Sequence, residues 1–174
     1  MSNGKSGKAT YDTVGTWVAN SDATQAATLE MAPGTAFWYG AKNYATPFTV
    51  TVAGGVITDV SKTIVINKQY THIANPYPVA LNLNESIGYV SGMTKGQSGA
   101  ADEIQIQNAT GGYVTYYMSN GKSGKATYDT DAKWVANSDA TQAANVSIPV
   151  GKGAWYVRRG STDFNLVITK PYDL

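Results

Sequence analysis

The chain has 174 residues, with 13 Lys and Arg against 12 Asp and Glu for a net charge of +1, so no basic field exists to hold a nucleic acid and none is expected as a partner. Charged residues make up only 14%, against about a quarter in an average domain, and Thr, Asn, Ser and Gly take their place as they do on many extracellular β proteins. Without cysteine, packing and strand pairing must hold the fold; no apolar run approaches the roughly 18 residues of a membrane span, so no membrane insertion is expected.

In chain order, the opening stretch MSNGKSGKATYDT carries an Asn3-Gly4 turn signal and lacks the basic-then-apolar pattern of a signal peptide. WVANSDATQAA follows at residues 17–27, where Ser or Asp is placed to cap a single helical turn. FTVTV at 48–52 reads as a strand, and Gly54-Gly55 as a turn. TIVINKQYTHI at 63–73 is a β pattern that ends at the Asn75-Pro76-Tyr77-Pro78 turn, and ALNLNESI at 80–87 is the second short helix candidate. EIQIQNA and GYVTYYM alternate apolar with polar residues around Gly111-Gly112; after an Asn120-Gly121 turn, AWYVRR and FNLVITK complete the strands. This pattern predicts an all-β fold, a β-sandwich or jelly-roll-like arrangement.

An internal repeat runs through that order at a constant offset of 117 positions. Residues 1–13 return unchanged at 118–130 and residues 17–27 at 134–144; 31–39 matches IPVGKGAWY at 148–156, and after one deletion 48–52 aligns with FNLVI at 164–168. Residues 60–117 align with neither copy. The sequence divides into a complete module, residues 60–174, preceded by a half-module, residues 1–59, that copies 118–174, either as two parts or as one continuous unit. Met1 then corresponds to Met118 and need not mark a natural translation start.

The succession IANPYPVALNLN, ADEIQIQNATGGYVTYY, a Trp, then IPVGKGAWYVRRG resembles repeated β modules of large secreted or surface-anchored bacterial proteins, in which an Asn-Pro-Tyr-Pro segment precedes a Gly-x-Gly-aromatic strand. The resemblance spans residues 63–170, implies an extracellular or cell-surface bacterial setting, and lends no catalytic residues. The N-terminal copy departs from it: APGTAFWY lacks the second Gly.

Candidate chemistry is sparse. NGKSGK resembles the end of a phosphate loop, but the full pattern needs a Gly where Tyr116 stands, so Lys5, Lys8, Lys122 and Lys125 read as solvated turn charges. His72, the one histidine, lacks ligand or triad partners in sequence. Asp129, Asp131 and Asp139 suit calcium by their oxygen ligands, yet Val14 stands at the position corresponding to Asp131. Glu30, Glu85 and Glu103 form no recognisable carboxylate pair for glycoside hydrolysis. No cofactor and no enzyme activity are expected.

The aromatics carry more. Trp17, Trp38, Trp134 and Trp155, with Tyr39 and Tyr156, fall in repeat-related pairs. Alternation along a strand sends one of each adjacent Trp-Tyr pair to the core and the other outward, where it is a candidate for a protein interface or for stacking on a sugar. The expected function is a structural subunit of an extracellular filament, pilus-like fibre or surface layer, its partner being itself. The alternative is an adhesin or carbohydrate-binding module that takes surface glycans.

Overall fold

A computed structural model describes residues 1–2, 4–6, 9–12, 15–37, 39–40 and 57–173. Within them the protein is β throughout apart from one helical turn, as its alternating sequence dictates. The strands are β1 (Lys5–Ser6), β2 (Ala9–Thr10), β3 (Ser61–Ile66), β4 (Gln69–Ala74), β5 (Leu81–Asn82), β6 (Glu103–Gln107), β7 (Tyr113–Ser123), β8 (Ala126–Ala136), β9 (Ser147–Ile148), β10 (Gly153–Arg158) and β11 (Phe164–Thr169); α1 is Leu83–Ser86. Two compact units are described separately, Met1–Ala32 and Pro33–Leu174.

In the second unit, a five-stranded antiparallel sheet has the order β4-β10-β6-β7-β8, and β3 pairs with β11 in a second, two-stranded sheet. Period-2 alternation makes both amphipathic. Leu166 and Ile168 of β11 are buried while Asn165, Val167 and Thr169 are exposed. The inward residues of both sheets meet in one core, where Ile66, Leu166 and Ile168 join Ile73, Ile104, Met118, Trp134 and Tyr156. This is a β-sandwich. The chain passes between the sheets at Asn67 and Lys68, and Gln69 takes a positive φ of 68° to make the turn. Asp163 Oδ1 accepts from the Lys68 amide at 3.0 Å and ties that turn to the start of β11.

The longest strands, β7 and β8, form the hairpin that carries NGKSGK. Gly121 has φ 75° and a Cβ there would stand 3.1 Å from the Tyr128 carbonyl oxygen, so both the backbone angle and the close approach require glycine. Lys122 lies in the strand opposite Thr127. Asn108 closes the β6–β7 turn: its Oδ1 accepts from the Thr110 amide and hydroxyl and from the Gly112 amide.

The units divide at residues 32 and 33, ahead of the repeat boundary at 59 and 60, because Gly34 and Thr35 engage β4. The Ala74 amide donates to the Gly34 carbonyl at 3.0 Å, and Thr35 bridges Ile73. The second copy's strand, β10, pairs with the other side of the same β4. Of the two helix candidates, ALNLNESI supplies α1, capped by Asn82, whose side chain accepts from the amides of Asn84 and Glu85. SDATQAA does not form a helix at 138–144: Asp139 spends both carboxylate oxygens on Thr141 and Gln142 in a turn. The strand expected at 48–52, the Gly54-Gly55 turn and Trp38 lie outside the described residues.

Candidate functional site

The repeat makes Trp134 and Trp17 a natural comparison, since each opens the same eleven-residue sequence. Trp134 lies near the end of β8 with its indole fully buried. Its Nε1 donates to the Ile87 carbonyl at 2.6 Å, and its ring meets Tyr156 edge to face at 6.0 Å. Asn84 clasps the backbone beside it: Oδ1 accepts from the Trp134 amide at 2.8 Å, and Nδ2 donates to the carbonyls of Trp134 at 3.1 Å and Ala144 at 2.9 Å. Leu81 pairs with Ile148, and the Leu83 amide donates to the Val146 carbonyl. Residues 81–87 therefore cover the C-terminal copy. The Asn82 cap holds α1 in the turn that aims Asn84 and Ile87 at the tryptophan.

In the N-terminal copy several local features recur at the corresponding described positions. The pairs Lys5 with Thr10 and Ser6 with Ala9 match Lys122 with Thr127 and Ser123 with Ala126. The Gly4 amide (φ 74°) donates to the Ser2 hydroxyl oxygen as the Gly121 amide (φ 75°) does to that of Ser119. Asp22 accepts from Thr24 and Gln25 as Asp139 does from Thr141 and Gln142, and in both the threonine hydroxyl, first, holds the carboxyl below its ordinary range. The Ala27 amide donates to the Trp17 carbonyl at 2.7 Å, and that of Ala144 to Trp134 at 2.8 Å.

Burial does not recur. Met118, Trp134 and Ile148 are 0% exposed, whereas Met1, Trp17 and Met31 are 79%, 54% and 55% exposed, and Leu29 reaches 87%. The repeat itself is read from the sequence. Sequence reasoning missed the segment that covers only one of the two, because ALNLNESI reads as a short helix and nothing in its letters says which strand it clasps.

The other candidate aromatics divide as alternation requires. Tyr156 is buried in the core, with its hydroxyl donating to Asp102 at 2.9 Å; burial first, then the Asp102 charge, pushes the phenol far above its ordinary range. Trp155 points to the opposite face of the sheet, half-buried, stacked on His72 at 4.4 Å and edge-on to Tyr70. Trp134 and Tyr156 thus offer no surface to a partner or a sugar, which corrects the expectation for those two: strand alternation turns both inward. Tyr39 and Trp17 are exposed.

Trp155 and His72 line a groove of about 450 Å³ with Phe37, Gln107, Asn108 and Tyr113. Burial lowers the His72 imidazole below its ordinary value. Asp131 is bonded to Lys95 at 2.9 Å, apart from the Asp139 turn. Among the described residues, no three His, Asp or Glu side chains come together in a metal-binding group. No helix among them is long and apolar enough to cross a membrane.

The largest charged feature is internal. Asp102 is fully buried, pairs with Arg158 at 2.8 Å, and also accepts from Tyr156 and from the amides of Thr94 and Arg159. With every oxygen satisfied by donors fixed in the fold, this is a structural pin between β10 and the start of β6. Comparison of the chain with protein-family models, with curated proteins and with solved structures finds no match.

Proposed function

We propose that the protein is a structural, non-catalytic subunit of an extracellular filament, pilus-like fibre or surface layer, assembled head to tail through β-strand pairing. One observation carries the reading: Met1, Trp17 and Met31 stand in solvent where the same positions of the second copy are sealed in a core. An apolar face with a known buried counterpart is a surface that gains by being covered. The sheet also ends in β8, an edge strand of eleven residues, and an edge is a template for a neighbour's strand. A contact that joins one end to a different surface repeats without closing and builds a polymer.

Light scattering of the purified chain over a concentration series, followed by electron microscopy, tests this. Ordered polymers that are lost in Met31→Asp are the expected result. A chain that remains monomeric at its solubility limit ends the reading.

A second reading, binding of surface glycans, is favoured by the groove at Trp155, where aromatic rings and the amides of Gln107 and Asn108 line one opening. Saturable glycan binding abolished by Trp155→Ala would select it.

A further inference from the structure

We infer that the groove beside Trp155 binds an acidic polysaccharide, one whose pyranose rings carry uronic acid carboxylates, with Trp155 as the platform for a ring and Lys152 as the partner of a carboxylate. The inference rests on the second reading, glycan binding at this groove, and names the class of glycan.

Strand register brings the parts together. Trp155 lies opposite His72 of β4 and Gln105 of β6, and Gln107, two positions further along β6, lies opposite Tyr113 of β7. Alternation therefore raises these side chains from one face of the sheet, the face turned away from the core. His72 stacks on the indole at 4.4 Å and Tyr70 meets it edge-on at 6.4 Å; both come from β4, and the rest of the ring lines the groove. A flat apolar surface that is fixed before binding suits the apolar face of a pyranose and adds little ordering cost.

The GKGAW run shapes the opening. Gly151 takes a φ of 68° in the turn that presents Lys152, and that turn is tied down where the Lys152 amide donates to the Pro149 carbonyl and the Lys152 carbonyl accepts from the Asn75 amide. Gly153 has to be bare: a Cβ there would stand 3.0 Å from Ala36 Cβ and 3.2 Å from His72 Nε2.

Chemistry selects the occupant. Asn108 spends its Oδ1 on Thr110 and Gly112, which leaves Nδ2 as a donor; Gln107 adds an amide and Tyr113 a hydroxyl, and such groups suit the hydroxyls of a sugar. Lys152 brings the one full charge to the described lining near neutral pH, since burial holds the His72 imidazole below its ordinary value. No Asp or Glu stands among the described lining residues, and Lys152 enters no ion pair among the described residues. An ammonium without a counter-charge beside an aromatic platform is complementary to a ring that carries a carboxylate.

Calorimetric titration of the full chain tests this with hexasaccharides of polygalacturonate, alginate and hyaluronan, each beside its carboxyl-reduced neutral form, and with poly-glutamate. Saturable binding of at least one acidic hexasaccharide is expected, about threefold to fivefold tighter than its reduced form, as a solvent-facing charge pair supplies. Lys152→Gln should abolish that preference, and Trp155→Ala should weaken all binding about tenfold or more. Lys152 is exposed, so its replacement should leave the thermal melt unchanged. Acidic and reduced forms bound alike, a preference kept by Lys152→Gln, or poly-glutamate bound as well as the sugars overturns the inference. Saturable binding of the reduced forms that Trp155→Ala abolishes then leaves the glycan reading standing, whereas binding of neither set ends both. The wild-type comparison and Lys152→Gln decide the matter even where Trp155→Ala fails to fold.

Discussion

Two side chains show how environment outweighs residue type. Asp102 looks like any strand-end aspartate in sequence, yet it is sealed in the fold beneath Arg158 and Tyr156. Removing one partner of such a pair leaves a charge in low dielectric, so Asp102→Ala should cost about 3–5 kcal/mol in urea unfolding. Gly160 guards the same pair from outside: a Cβ there would stand 2.0 Å from Arg158 Nη2, so Gly160→Ala should also destabilise by displacing the guanidinium. His72 is the converse case, a histidine with a lowered pKa because burial beside Trp155 disfavours its charged form. Its NMR titration, unambiguous for the only histidine, should have a midpoint below 6.5. Because the unfolded chain binds the proton more readily, stability is fully present above 6.5, declines as pH falls from there to the folded midpoint, and stays level below it. That slope should vanish in His72→Phe; a midpoint above 6.5 would show that stacking on the indole, which favours imidazolium, outweighs burial.

Among elements, identical sequence meets unequal fate. Trp134→Ala should cost about 3–5 kcal/mol, whereas Trp17→Ala should cost clearly less, since more than half of its surface already stands in water. Asn84→Ala strips the Trp134 amide and two carbonyls of their partner, and about 1–3 kcal/mol should follow. Thermal melts of the three variants check the ranking; equal losses for the two tryptophans would mean that the N-terminal copy is covered after all. The strands were legible because alternation is a local property: FNLVIT buries Leu166 and Ile168 as its letters predict. The inward turn of Tyr156 and outward turn of Trp155 follow from the same rule. The clasp by residues 81–87 was not legible, because pairing across 50 positions leaves no periodic trace between Asn84 and Trp134. Nor was the β4 bridge to Thr35, which depends on two tertiary neighbours meeting at one edge.

At the scale of the whole molecule, magnitudes decide how assembly should look. Covering the exposed parts of Met1, Trp17, Leu29 and Met31 is worth on the order of 10 kcal/mol at ~25 cal/mol per Å². Association itself costs about 4–15 kcal/mol in lost freedom. The apolar face alone therefore gives at best weak pairing, and a stable polymer needs the backbone bonds that an edge such as β8 can add. Assembly should accordingly begin sharply, at micromolar concentration or above, and not at trace levels. A net charge of +1 leaves little long-range repulsion to screen, so sodium chloride should shift the onset only slightly, while ammonium sulfate, which strengthens apolar burial, should lower it clearly. Met31→Asp should raise the onset beyond reach without altering the melting of the second unit, because Met31 belongs to the first. Light scattering across a salt and concentration grid measures all three responses. Strong dissolution by sodium chloride would identify charge pairing in place of the apolar face, and the assembly would then be built on a different surface from the one that the repeat leaves exposed.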